Sequence, residues 1–418
     1  MSKKVIVENI LSLYVVQAAN YILPLITFPY LVRILGIEKF GLLAFASSFI
    51  QYFVTFTDYG FNLTATREIS IHRNDNDQIA NICSAVYGIK LILFVLSCLI
   101  VLFLVLTVDK FNNESTLYAI SLLAVIANLF YPVWFYQGIE KLKVIAVINL
   151  ASRIVSTIAI FLFVHGKEDY LITALIQNGG AVLSGIIGFF GVVCFWKIKL
   201  KLPCVNEIKQ YFKNGWYVFG SVMSATLVNN TNMFLLGMLS VPKAVGYFAI
   251  ADKIIRIFIN LVAPISSSIF PHVGKLFAES REQGTHFVKK IMLYGGSGFA
   301  ILSVIIMLSA SFLVKIITGQ DSPQISTLVK IMALLPFTIF MDNLYGTQVL
   351  VNIGKGNKFL LAIIVPGVTS VIASLLMVPK YEAYATAIIF LVSEIMILLF
   401  MMFYVQQNKI YLLMDRVV

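Results

Sequence analysis

Twelve apolar stretches follow one another along this chain, near residues 10–32, 40–57, 79–106, 115–137, 144–163, 170–195, 215–239, 245–269, 290–314, 325–351, 359–378 and 384–404. Each is long enough to cross a bilayer, whose hydrocarbon core of about 30 Å takes roughly 20 residues of helix at about 1.5 Å per residue. A water-soluble fold has no use for so many such segments. Of the 418 residues, 59% are hydrophobic and 12% charged, about half the charge of an ordinary soluble domain. The stretches are too long for the strands of a transmembrane barrel, which run to about 10 residues of alternating polarity. The chain therefore reads as an all-α integral membrane protein with about twelve transmembrane helices.

Basic residues set the orientation, because Lys and Arg collect in short cytoplasmic loops. Numbering the loops alternately places nineteen of the 31 Lys and Arg on one side and seven on the other, with Lys90, Arg153, Lys253, Arg256 and Lys330 inside spans. The bias predicts that both termini are cytoplasmic; Glu8 and Asn9 follow Lys3 and Lys4 and no small-residue cleavage site comes after, so the first span is expected to be a retained helix rather than a cleaved signal. The bias also accounts for the net charge of +11; the segment KIKLKLPCVNEIKQYFK at 197–213 reads as a membrane-surface linker, and no nucleic-acid partner is expected.

That linker divides the spans six and six. After the first span of each half comes a Gly-x-x-Ala-x-Ala step, at Gly41, Ala44, Ala46 and again at Gly246, Ala249, Ala251, a period of 205 residues. Small residues at such spacing also serve close helix packing, but with the equal helix count they favour two lobes related in parallel, a plan that puts a transporter's substrate between its halves near the midplane. The expected organisation is an N-terminal lobe at 1–196, a basic linker at 197–214 and a C-terminal lobe at 215–418.

Motifs for chemistry are sparse. No phosphate-cradling G-x-x-x-x-G-K-[S/T] occurs, so ATP hydrolysis by this chain is not expected. Cys83, Cys98, Cys194 and Cys204 lack metal or redox spacing, and His72, His165, His272 and His286 are scattered. No catalytic residue, metal or cofactor is expected. The outer loops are short, which disfavours an extracytoplasmic enzyme; the longer connections, 58–78 and 271–289, are expected as cytoplasmic loops after the second span of each half. Pro24, Pro29, Pro132, Pro264 and Pro336 are either bending points or fixed kinks. The aromatic run Phe130, Tyr131, Trp134, Phe135 and Tyr136 is expected in an interfacial belt, with stacking on sugar rings as the alternative.

Four segments carry a family likeness: FPYLVRILG (Phe28–Gly36), YGFNLTATREI (Tyr59–Ile69), YPVWFYQGIEK (Tyr131–Lys141) and YGTQVL (Tyr345–Leu350). Together, in this order and through nearly the whole chain, they resemble the Wzx-type O-antigen flippases, part of a superfamily of two-lobe exporters that includes multidrug exporters and lipid II flippases. The resemblance implies a multi-pass protein of a bacterial inner membrane, with a role in lipopolysaccharide assembly. The implied activity is to carry oligosaccharide repeat units linked through pyrophosphate to undecaprenol from the cytoplasmic to the periplasmic leaflet. It leaves open contacts with other O-antigen assembly proteins. A multidrug or cation antiporter of the same superfamily and a membrane polysaccharide polymerase are the alternative readings.

The intramembrane charges bear on that substrate. An ionisable group facing lipid costs about 2.5 to 3.5 kcal/mol by insertion scales, so such groups should line an aqueous cavity or pair. Arg256 lies 11 residues into its span, about 16 Å deep, and Arg153 about 14 Å. A guanidinium matches phosphate oxygens two at a time, making Arg256 and Arg153, with Lys253 and Lys90, candidates for binding the pyrophosphate. Asp252 stands four residues before Arg256, where a structural ion pair would form instead. Asp58, Asp252, Asp342 and Glu394 are candidates for ion coupling or for charge pairing. Lys330 is expected to reach the outer interface. Lipid II flippases carry basic residues on their first helix; this first span offers Gln17 and Asn20 instead.

Overall fold

The computed structural model describes residues 3–408 with Ile410 and Leu412, and side chains from Ile22 onward except at positions 205 and 228; Gln17 and Asn20 lie outside the described side chains. No strand occurs among the described residues. In chain order the helices are α1 (Lys3–Asp58), α2 (Phe61–Ile71), α3 (Asn76–Thr107), α4 (Asp109–Asn112), α5 (Ser115–Ser121), α6 (Leu123–Phe130), α7 (Val133–Gly138), α8 (Leu142–Phe163), α9 (Tyr170–Phe190), α10 (Val205–Leu239), α11 (Pro242–Ile259), α12 (Val262–Glu279), α13 (Arg281–Thr318), α14 (Pro323–Met332), α15 (Leu335–Asn343) and α16 (Gly356–Gln407).

Eight helical stretches among the described residues are long and apolar enough to cross a membrane. The longest are pairs of crossings: α1 turns at Gly36, with φ 75° and ψ 170°, and α16 at Glu382, with φ 48° and ψ −126°. Gly36 takes a φ that a side chain would disfavour, so the first hairpin of FPYLVRILG closes on its last residue. Counting both pairs twice, and adding α10 and the α11–α12 pair, is consistent with twelve crossings. The connections 58–78 and 271–289, expected as loops, are largely helical, since α2 fills the first and α12 runs on to Glu279 before α13 begins.

The chain forms two compact units, Met1–Thr231 and Asn232–Val418. The boundary falls inside α10, 17 residues past the end of the expected linker, because the first half of that helix packs in the N-terminal unit. Phe212 and Phe219 stack on Tyr59 with ring centroids 4.4 and 4.7 Å away, and Thr226 hydrogen-bonds Thr55 at 3.0 Å.

In the N-terminal unit α9 packs on α6 and α8, and α2 on α7. Lipid chains are as apolar as the side chains they meet, so close backbone approach has to hold such helices together. A Cβ on Gly185 of α9 would lie 2.8 Å from the Ala127 carbonyl of α6. Of the aromatic run expected in an interfacial belt, Phe130 and Tyr131 are half-buried and the last three rings are core. Trp134, Phe135 and Tyr136 are fully buried with Tyr59, Phe61, Ile69 and Ile145, because Pro132 ends the previous helix and α7 turns these rings onto α2. Thr66 Oγ1 donates to the Trp134 carbonyl at 3.1 Å, and Arg73 bridges Glu140 at 2.9 Å. The hydrogen bond and charge of Arg73 hold the exposed Glu140 carboxyl below its usual range. YGFNLTATREI and YPVWFYQGIEK are thus two halves of one packed unit.

In the C-terminal unit α11 is enclosed by α14, α15 and α16. Three crossings are interrupted at prolines: Pro132 directly precedes α7, Pro264 lies in the first turn of α12, and Pro336 in the first turn of α15. At these positions the missing N–H has no helical partner to lose. Pro24 and Pro29 lie within α1.

Candidate functional site

The break between α11 and α12 sets up the main constellation. Arg256 falls in the last turn of α11, where the unpaired carbonyls carry partial negative charge and favour a cation. One helical turn earlier, Asp252 accepts a hydrogen bond from Arg256 Nε at 2.7 Å. The Asp252 side chain is 11% exposed, whereas 41% of the Arg256 side chain remains accessible. The guanidinium is therefore held at Nε while two fifths of the side chain stays accessible. Oδ1 of Asp252 is buried without a hydrogen bond.

Arg256 also interacts with Glu394 of α16, and Glu394 in turn with Asp342 of α15. The result is a line of charges from three helices, Asp252, Arg256, Glu394 and Asp342. Asp342 is 8% exposed and neither of its oxygens has a hydrogen-bond donor. Two interacting carboxyls, one of them buried, repel if both are ionised, which favours a proton or a cation that neutralises one of them. Lys253, next in sequence, is half-buried and lies in the field of Asp252.

Beside this line is a polar cluster that sequence reading missed. After Asn343 the backbone widens into a π-helical stretch, Leu344–Val351, a distortion found often at functional sites. It carries the YGTQVL segment. Gln348, fully buried, donates from Nε2 to the carbonyl and hydroxyl of Ser266 at 3.2 and 3.0 Å, and its Oε1 is unpaired. The available signal was a glutamine inside an otherwise apolar span.

The N-terminal unit holds a closed network. Lys90 is 0% exposed; its ammonium donates to the Asn128 carbonyl at 2.9 Å and to Asn128 Oδ1 at 3.2 Å, and lies 3.6 Å from Asp58. Asn62 donates to Asp58 at 3.0 Å. Of the expected basic residues, Lys90 is therefore enclosed by protein. Arg153 is exposed on α8, within electrostatic reach of Tyr131. Lys330 is exposed on α14. Among the described residues no group of His, Cys, Asp and Glu is placed to hold a metal.

A polytopic helical protein with interrupted spans and charges gathered on the broken helices has the architecture of a membrane transporter, and its fold matches that of solved ones. It resembles a lipid II flippase in an inward closed conformation, with TM-score 0.72 and 14% identity over 94% of this chain and 87% of that one. It also resembles an inward-facing multidrug transporter of the MATE family, with TM-score 0.66 and 12% identity over 93% and 99%.

The chain belongs to the polysaccharide biosynthesis protein family, whose sequence model matches residues 6–277. A relative in Escherichia coli K12, named "Putative O-antigen transporter", is 32% identical over 96% of this chain and 97% of its own. One from Shigella dysenteriae with the same name is 27% identical over 94% and 98%.

Proposed function

We propose that this chain is a flippase for oligosaccharide repeat units linked through pyrophosphate to undecaprenol. It carries them from the cytoplasmic to the periplasmic leaflet of a bacterial inner membrane by alternating access coupled to an ion. The observation that carries the reading is Arg256 itself, held at Nε by Asp252 at 2.7 Å with 41% of its side chain accessible. A pyrophosphate needs such a partner, since Arg offers two parallel N–H donors to phosphate oxygens. The names of the O-antigen transporter relatives and the lipid II flippase fold support the substrate class.

Arg256 is the pyrophosphate contact, with Lys253 beside it and Arg153 as a second basic group. Asp342 and Glu394 take up and release the coupling ion. A proton or cation entering between them neutralises Glu394 and loosens its hold on Arg256, so the substrate phosphate and the Glu394 carboxylate compete for the same guanidinium. Lys90 and Asp58 hold the N-terminal unit together.

Deletion of the gene, followed by location of the lipid-linked repeat units, tests the function. Flipping requires that complete repeat units accumulate facing the cytoplasm and that surface polysaccharide is lost. A strain that still exposes single repeat units on its surface and lacks only long chains would point to polymerisation. Unchanged polysaccharide with altered drug sensitivity would point to a drug antiporter.

A further inference from the structure

One face of α13 bears no relation to the charge line on α11. Beginning at His286, residues at helical spacing pass through Lys289 and Lys290 to Leu293, Ser297 and Ala300, and line a groove of about 730 Å³. Phe337 and Met341 of α15 form the other wall with Leu412. The character of the lining changes along the helix. His286 and Lys290 are exposed at one end, and among the described residues no acidic one lines the groove, while beyond Lys290 the walls are mainly apolar, with only the hydroxyls of Tyr294 and Ser297 among the described lining residues.

Small residues keep the apolar part open. Gly296 and Ser297 form its floor, and a Cβ on Gly296 would reach ordinary contact with Met341 Sδ at 3.5 Å. From His286 to Ala300 is 14 residues, about 21 Å along the helix. That length equals one leaflet: half of a core of about 30 Å plus a headgroup layer of roughly 5–7 Å. We propose that this groove binds one anionic bilayer phospholipid, its phosphate at His286 and Lys290 and an acyl chain along Leu293, Ser297, Ala300 and Met341.

Charge complementarity fixes the occupant. A zwitterionic lipid returns a positive charge to the basic end, whereas phosphatidylglycerol brings net negative charge, which basic side chains at a lipid surface attract. Length fixes the rest, since inorganic phosphate would leave the apolar two thirds of the groove empty.

The purified full-length protein, delipidated in detergent and examined by native mass spectrometry, tests this. Titrated with equimolar phosphatidylglycerol and phosphatidylcholine, it should retain the former at least tenfold more. His286→Gln with Lys290→Gln should abolish that preference, and Ser297→Phe, which fills the floor and leaves the charges in place, should reduce retention of both lipids. A large excess of inorganic phosphate should not displace the bound lipid. Equal retention of the two lipids, or undiminished preference in the charge variant, would overturn the proposal. So would displacement of phosphatidylglycerol by undecaprenyl phosphate at equal concentration, because the groove would then serve the carrier lipid. The two replaced side chains are exposed, so the charge variant decides the matter even if Ser297→Phe fails to fold.

Discussion

Arg256 donates its Nε to Asp252 Oδ2 at 2.7 Å, and this single bond orients the rest of the guanidinium. Asp252 is the more buried partner, at 11% exposure against 41%. The carboxylate is a fixed support and the arginine the reaching group, so one pair can be both a structural ion pair and a presented phosphate ligand.

The two roles separate in a double-mutant cycle. Arg256→Ala should reduce surface polysaccharide to the level of the deletion strain at normal expression. Arg256→Lys should restore only part, because a point charge replaces a planar fork. Asp252→Ala alone should retain some activity, with the arginine still present but less well oriented. If pairing were the only role, Asp252→Ala with Arg256→Ala would be tolerated better than either change alone; wild-type polysaccharide in that double variant would remove the ligand role.

Lys90 and Asp58 form the opposite case, a buried pair with no accessible face. Lys90→Met strands the carboxylate, and removing one partner of a buried pair costs about 3–5 kcal/mol. Thermal unfolding of the purified protein should fall by several degrees for Lys90→Met, and by less when Asp58→Asn is added. Equal losses in the single and double variants would show that the pair contributes nothing beyond packing.

Helix packing in α9 offers an internal control. Gly185→Ala places a methyl 2.8 Å from the Ala127 carbonyl and 3.3 Å from the Tyr131 amide, whereas a Cβ at Gly179 has no neighbour within 4 Å. Overpacking costs about 1–3 kcal/mol, while Gly to Ala in an open helical position gains up to about 1 kcal/mol. Gly185→Ala should lower the unfolding temperature and Gly179→Ala should leave it unchanged or raise it. Matching behaviour at both sites would contradict the close approach of α6 and α9.

The distribution of basic residues is tested by topology reporters. Fusions after Lys110 and after Lys315 should report the periplasm, and fusions after Lys143 and after Lys209 the cytoplasm. A reversed signal at any one of them would change the number of crossings between it and its neighbours.

By itself the sequence determined the class, the family and which ionisable residues sit in apolar stretches long enough to cross a bilayer. These rest on length and composition, which hydropathy reports directly. It did not determine which way each helix is turned about its axis. In water an apolar stripe marks the buried face, but in a bilayer the lipid-facing and core-facing sides are both apolar, so periodicity carries little information about rotation. Asp252 and Arg256 were legible as a pair because the four-residue spacing lies on one helix. The contact of Asp58 with Lys90, the approach of Glu394 to Asp342 and the burial of Trp134, Phe135 and Tyr136 each join residues of different helices. Only the tertiary packing decided them; the breaks at Pro132 and Pro336 set the start of α7, which carries the buried rings, and of α15, which carries Asp342.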